Sequence, residues 1–485
     1  MSFLGWLYTF TLVGLAVFGF NLLFMLALAA FAWPRRPHAS APSPGDWPTV
    51  LVQLPVFNER YVVERAIDAA ARLDYPPERL SIQVLDDSTD DTAALARARA
   101  AYHRARGRPV HYLHRADRAG FKAGALAAGL RAASGRGEFV AIFDADFVPP
   151  PDFLRRLVPR FRSNPRLALA QARWEHLNPD QNALTRAQAL ACDGYFAVDQ
   201  AARSRAGLLM NFNGSAGVWR RAAIEDAGNW QGDTLAEDLD LSYRAQLRGW
   251  QLEYAPEAAA PAELPAAIVA LKRQQFRWAA GSFQVLRKVG AQLLTARMPR
   301  WRRLQGFLHL AGYLAQPLML LALILSLPVV LARDPLPPQL GWLGWAGLGP
   351  LLYSLWGQIT LRRDWLRRWL HYPALMMIGI GLSLTATHAL WAACFGRGHE
   401  FKRTPKFSST DRASDYALPL DWTTWGELLL ALYALATGLL AAEQTPGLAP
   451  FIFFYALGFG FTAALGFWQS GAVRRVERAS ESAMD

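Results

Sequence analysis

Asp86-Asp87, Asp144-Ala145-Asp146, Glu237-Asp238 and Gln274-Gln275-Phe276-Arg277-Trp278 are separated in the chain, yet their chemistries fit one reaction centre. Two carboxylates two residues apart, Asp144 and Asp146, can share one divalent ion. Mg²⁺ or Mn²⁺ prefers such hard oxygen ligands and leaves positions for diphosphate oxygens. A lone Asp-X-Asp is more often a turn; the buried apolar run Phe139–Phe143 before it favours the metal reading. Asp86 or Asp87 can accept from a base N–H or a ribose hydroxyl, while Ser88, Thr89 or Asp90 caps the next helix. Asp238 can act as general base towards an acceptor hydroxyl, with Glu237 beside it. Acidic residues in a first helical turn are the competing reading. Arg277 can neutralise a leaving diphosphate, and Trp278 can stack on a sugar ring; Trp and Arg also anchor helices at headgroup level.

Two loops join this set. Arg118-Ala119-Gly120-Phe121-Lys122-Ala123-Gly124 is a basic, glycine-bearing turn before a helix, so Lys122 and backbone N–H groups can hold phosphate. Phe212-Asn213-Gly214-Ser215-Ala216-Gly217 is small enough to let an acceptor approach the backbone. The elements that must position these residues alternate. Val50–Leu54, Ile82–Leu85, Val110–Leu113, Phe139–Phe143 and Leu167–Gln171 read as strands. Glu59–Leu73, Asp91–Arg106, Lys122–Ala133 and Asp152–Arg162 read as helices. That order predicts an α/β domain with a mostly parallel sheet covered on both faces. Ligands then sit at the carboxyl ends of strands, where Asp86, Asp87, Asp144 and Asp146 fall. No dinucleotide or P-loop glycine fingerprint is present.

The chain has 485 residues, 52% of them hydrophobic, a net charge of +12 and two cysteines. Its mean hydropathy is only +0.08, so the apolar residues must be concentrated. Residues 3–33 form an anchor helix ended by Pro34-Arg35-Arg36. Leu304–Ala332, Gly341–Thr360, Pro373–Phe395, Thr424–Ala442 and Leu448–Trp468 are long enough to cross a bilayer. The basic residues flank these segments, which points to a cytosolic membrane surface rather than nucleic acid. If Pro373–Phe395 also crossed, Arg397, Lys402, Arg403, Lys406 and the basic tail would lie outside. That segment is therefore expected in the interface or against other helices. Cys192 and Cys394 show neither metal nor disulfide spacing and are expected to be buried and inert.

The expected organisation is a transmembrane helix at 1–34, a linker at 35–48, a catalytic domain at 49–260 and interfacial helices at 261–303. A transmembrane region follows at 304–470, containing an interfacial segment (371–396) and a cytosolic loop (397–412), and then a tail at 471–485.

Taken together, Pro55-Val56-Phe57-Asn58-Glu59, Asp86-Asp87, Asp144-Ala145-Asp146, Glu237-Asp238 and Gln274-Gln275-Phe276-Arg277-Trp278 resemble membrane-bound family 2 glycosyltransferases. The likeness is nearest to cellulose synthases and cellulose synthase-like β-mannan synthases, and it runs from about Val50 to Phe407. It implies a GT-A nucleotide-sugar fold, Rossmann-like and cytosolic, inserted between transmembrane helices. By the family pattern, Asp86 or Asp87 and Asp144 contact the nucleotide, Asp146 helps hold the metal, and Asp238 is the base. Gln274, Arg277 and Trp278 line the acceptor and diphosphate site. Phe401, Thr404 and Lys406 match a gating loop over the donor, with Arg403 where cellulose synthase carries Val. Ala236 stands where cellulose synthases carry Thr. No cyclic-di-GMP module is expected after Trp468.

The implied activity is inverting transfer of a hexose from UDP-glucose or GDP-mannose at a plasma or inner membrane. The product is expected to be a processive β-glucan or β-mannan coupled to export. A glycolipid synthase with a lipid acceptor is the alternative, and a non-catalytic sugar transporter is a further one.

Overall fold

The computed structural model describes residues 2–31, 47–333, 338–396 and 420–481. Phe401, Thr404 and Lys406 lie outside the described residues.

The alternation between Thr49 and Ala262 folds into a seven-stranded sheet. Its strands are β1 (Val50–Val56), β2 (Leu80–Asp86), β3 (Val110–His114), β4 (Phe139–Ile142), β5 (Leu167–His176), β6 (Gly217–Arg220) and β7 (Gln251–Ala262), in the order β3-β2-β1-β4-β6-β5-β7. β1 pairs in parallel with β2 and β4, β2 with β3, and β5 with β7; only β6 runs antiparallel, between β4 and β5. The five expected strands and their parallel pairing are present. β1 is buried along almost its whole length and β4 throughout, as continuous apolar runs covered on both faces must be.

Two clusters fill the faces. One gathers Val52, Val84, Phe143, Phe153 and Leu157; the other gathers Leu126, Ile142, Phe212, Trp219 and Trp230. Phe212 meets Trp219 edge-on at 5.9 Å, and Trp219 meets Trp230 at 6.2 Å. Burying each such side chain contributes about 1.5–3 kcal/mol, which anchors the loop after Phe212 to the sheet.

Two helices differ from expectation. Glu59–Leu73 is helical only over Val63–Ala71, and Asp152–Arg162 splits into Phe153–Leu157 and a 3₁₀ turn, Val158–Phe161, where Pro159 lacks a donor N–H.

Among the described residues, five helices are long and apolar enough to cross a membrane: Phe3–Phe31, Gly312–Leu331, Trp365–Phe395, Trp422–Gln444 and Ala449–Ser470. The protein is thus an integral membrane protein. Gly341–Thr360, expected as a helix, is instead a 3₁₀ stretch to Gly347 followed by Leu348–Leu361. Glycines at 341, 344 and 347 weaken its first half as α-helix. This segment ends at Arg362, which pairs with Asp193 and Glu175 of the α/β domain at 2.7 and 2.5 Å. The chain therefore returns to that domain, as the basic flanks require.

Tyr372–Phe395 packs along the helix Ile268–Thr295 for most of its length. Ile378 and Leu382 meet Leu184 and Ile268 near one end; Ala389 and Ala393 meet Ala279 and Ala280 near the other. Arg287 Nη1 donates to the Ala393 carbonyl at 2.8 Å. Cys192 and Cys394 are free and half-buried, less enclosed than expected.

Candidate active site

β1, β2 and β4 run parallel, so their carboxyl ends form one edge, and the acidic groups gather there. Beyond β4 the chain turns sharply: Phe147 N–H donates to the Asp144 carbonyl at 3.0 Å. Asp144 N–H donates to Ser215 Oγ at 2.9 Å, and Ala216 N–H to the Ile142 carbonyl at 2.9 Å. The 212–217 loop is thereby stitched to the end of β4.

Lys122 enters from the first turn of the helix Phe121–Ala132, which Gly120 opens in left-handed geometry with φ 71°. Its Nζ lies 2.6 Å from Asp144 Oδ1, donates to the Gly214 carbonyl at 2.8 Å, and stands 3.8 Å from Glu237 Oε1. Asp238 follows at the start of the helix Glu237–Leu247, where Leu239 N–H donates to its Oδ1 at 2.8 Å.

Burial, and then the Glu237 charge, push the Asp238 carboxyl up to about 7, although Lys122 pulls the other way. A carboxylate poised near neutrality is suited to taking a proton. Burial opposes the charge on Lys122, but Asp144 and Glu237 outweigh it and hold its pKa above the ordinary lysine value. Burial lowers Arg277, against the pull of Glu237, Asp144, Asp238 and Glu59; it remains a cation. Asp144, Glu237 and Asp238 thus face Lys122 and Arg277 in one place.

The helix carrying Gln274, Arg277 and Trp278 is locked onto the segment before Glu237. A Cβ on Gly281 would lie 2.6 Å from the Ala236 Cβ, so only glycine permits this approach. Leu235 N–H donates to Gln284 Oε1 at 2.8 Å, and Lys288 Nζ pairs with Asp233 at 2.8 Å and Asp240 at 3.0 Å. Between this helix and Lys122 opens a cleft of about 280 Å³, bounded by Gly120, Lys122, Thr234, Glu237 and Gln284. Trp278 is 39% exposed, Gln274 is half-buried, and Gln275 Oε1 accepts from the Tyr313 hydroxyl at 3.3 Å.

Gly214 has φ +81°, and a Cβ there would sit 2.9 Å from Asp238 Oδ2 and 3.4 Å from Lys122 Nζ. Gly214→Ala is therefore expected to destabilise the fold by about 1–2 kcal/mol through the left-handed backbone alone, measurable as a lower urea midpoint, and to displace the Asp238 carboxylate.

Asp86 and Asp87 lie at the end of β2 as expected, but their carboxylates are buried and committed to protein partners. Asp86 accepts from Tyr112 Oη at 2.6 Å and from Ser88 N–H at 3.0 Å, with His114 Nδ1 at 3.1 Å. Burial, then Asp86, push Tyr112 up to about 12. Arg115 grips Asp87 through two bonds of 2.7 and 2.5 Å. Nearby, Arg118 lies 3.4 Å over the Phe57 ring, and Asn58 N–H donates to Ser88 Oγ at 2.8 Å. Tyr112, His114 and Arg115 were missed in the sequence; polar residues closing a strand beside two others were the available signal.

Among the described residues no three His, Cys, Asp or Glu side chains group as a metal cage. The donor set still fits a hard divalent ion: Asp144 has a side chain 34% exposed, and Asp146 stands two residues on, 4% exposed. Mg²⁺ is commonly held by one or two carboxylates plus substrate phosphates.

A family model described as Glycosyltransferase like family 2 matches residues 48–281. Glucomannan 4-beta-mannosyltransferase 2 of Arabidopsis thaliana is 43% identical over 53% of this chain and 49% of its own length. Probable glucomannan 4-beta-mannosyltransferase 6 of Oryza sativa subsp. japonica is 44% identical over 53% of this chain and 46% of its own. The matched part thus spans about half the length of these curated relatives. A mannosyltransferase of Pyrobaculum calidifontis, solved with GDP-Man and Mn²⁺, superposes with a TM-score of 0.55 at 20% identity, over 81% of this chain and 100% of that one. That likeness shares the fold.

Proposed function

We propose that the chain, whose residues 48–281 match the model of glycosyltransferase-like family 2, is an inverting, membrane-embedded mannosyltransferase that builds a β-linked mannan or glucomannan. The observation that carries this reading is the meeting of Asp144, Glu237 and a near-neutral Asp238 with Lys122 and Arg277 at the strand ends. GDP-mannose as donor is supported by the names of the relatives and by the nucleotide sugar bound to the P. calidifontis protein.

In this reading the donor diphosphate lies over the end of β4. Asp144 and Asp146 would hold Mg²⁺ or Mn²⁺, which when bound neutralises the diphosphate. Lys122 and Arg277 face the same charge as it grows on the leaving group. Asp238 takes the proton from an acceptor hydroxyl. That oxygen bonds to the anomeric carbon as the bond to the diphosphate breaks on the opposite face, so configuration inverts. Glu237 keeps Asp238 basic enough to do so. Trp278 offers its face to the acceptor sugar. Asp86 and Asp87, with Tyr112, His114 and Arg115, form a preset wall for the nucleoside, and Gln274 lies on the acceptor side.

Tyr372–Phe395 lies in the interface in this account, supported by its contacts with helices of the catalytic side near both ends, alongside its packing on Ala449–Ser470 through Ile380 and Gly381. The catalytic domain is cytosolic in this reading.

Full-length protein in lipid nanodiscs, offered GDP-mannose, UDP-glucose, UDP-GlcNAc and UDP-galactose with Mn²⁺, tests the donor. Nucleoside diphosphate release from GDP-mannose is expected. Turnover of UDP-glucose alone would replace mannan by glucan, and short solvent-extractable products would favour a lipid acceptor.

A further inference from the structure

A second cavity, of about 530 Å³, lies apart from the Asp238 cleft. It is enclosed by the helix Ala183–Gly194, the end of Leu348–Leu361 and the short helix Trp365–Trp369. Arg186, Asp193, Gln358, Arg367, Arg368 and His371 line it, with Asp180 and Asp364 at its margin.

The acidic side chains are already matched. Asp193 takes two bonds from Arg362, at 2.8 and 2.7 Å, and faces His176 Nε2 at 3.3 Å. Asp364 pairs with Arg368 at 2.9 Å, and Asp180 with Arg186 at 3.5 Å. Arg367 has no ion-pair partner among the described residues.

The floor carries a second unmet group. Gln358 is 1% exposed; its Nε2 donates to Asp193 Oδ2 at 3.0 Å, while its buried Oε1 has no hydrogen-bond partner among the described residues. An orphaned buried acceptor is costly unless a ligand or water donates to it. The cavity thus offers an unpaired cation at the rim and an unpaired acceptor at the base.

The rim is also apolar. Leu366 and Leu370 are 57% and 69% exposed. Trp369 stacks on Tyr372 at 5.9 Å, at the start of an apolar helix. Trp and Arg side by side, with leucines pointing outward, is the pattern of a headgroup-level surface.

We propose that this cavity holds a membrane phospholipid whose headgroup carries both a phosphate and a hydrogen-bond donor, as phosphatidylethanolamine and phosphatidylglycerol do. The phosphate meets Arg367 and Arg186. The headgroup ammonium or hydroxyl donates to Gln358 Oε1, and the acyl chains lie against Leu366 and Leu370. Phosphatidylcholine supplies the phosphate but no donor.

The test is native mass spectrometry of the full chain extracted from membranes, with the retained lipid compared with the bulk lipid. The wild type is expected to retain donor-bearing phospholipid above its bulk share. Arg367→Glu, at an exposed position, is expected to lose about tenfold of that retention, through the loss of a charge-assisted hydrogen bond to the phosphate. Gln358→Leu is expected to keep phospholipid but lose the preference over phosphatidylcholine. An unchanged lipid complement in a correctly folded Arg367→Glu protein would overturn the proposal. So would displacement of the lipid by inorganic phosphate alone, which would make this a free-anion site.

Discussion

Asp238→Asn is expected to lower sugar transfer by about a thousandfold while donor binding persists, since a positioned general base contributes roughly 10²–10⁴ in rate. The substitution keeps the shape of the side chain and removes only its ability to accept the proton. The pH profile is the more discriminating readout. Asp238 sits near 7 because burial and the Glu237 charge disfavour its ionised form. In the proposed mechanism Asp238 is competent only when deprotonated, so the rate should fall as pH drops through about 7. Glu237→Gln removes one of the charges that raises it and should move this acid limb to lower pH. A limb that stays in place in Glu237→Gln would mean that another group titrates.

Lys122→Met is expected to cost about a hundredfold or more, the range for losing one preorganised electrostatic donor. Its ammonium lies 2.6 Å from Asp144, 3.8 Å from Glu237 and 2.8 Å from the Gly214 carbonyl. Its loss leaves Asp144, Glu237 and Asp238 facing Arg277 without the ammonium beside them. Because Lys122 lowers Asp238, its removal should move the acid limb to higher pH, opposite to Glu237→Gln. Opposed shifts from two neighbours of one carboxylate would be hard to obtain from a structural defect. Donor affinity, read by tryptophan fluorescence, should weaken in Lys122→Met and hold in Asp238→Asn.

Much of this arrangement is legible in the sequence. β1 to β5 announce themselves as short, largely apolar runs between helical stretches, and acidic residues stand at the ends of β2 and β4. β6 and β7 do not. β6 is four residues long, and β7 reads Ala-Pro-Glu-Ala-Ala-Ala-Pro-Ala over Ala255–Ala262, with little intrinsic strand preference. Pairing with β5 makes β7 a strand, and that contact is distant in sequence. The same distance hides the partners of Asp86 and Asp87, which come from the end of β3. Gly214 and Gly281 read as ordinary small residues until their neighbours, Asp238 and Ala236, are in place. The membrane segments follow hydropathy, but Gly341–Thr360 shows its limit, since glycine and the adjoining 3₁₀ turn break a run that composition alone makes continuous.

The most direct test compares wild type and Asp238→Asn, both full length in nanodiscs, with GDP-mannose and Mn²⁺, following GDP release and the size and β-mannanase sensitivity of the product. The account predicts GDP release and long mannanase-sensitive chains from the wild type alone, with GDP-mannose still bound by the variant. Equal GDP release and equal product from Asp238→Asn would contradict it, because the proton would then leave the acceptor by another route.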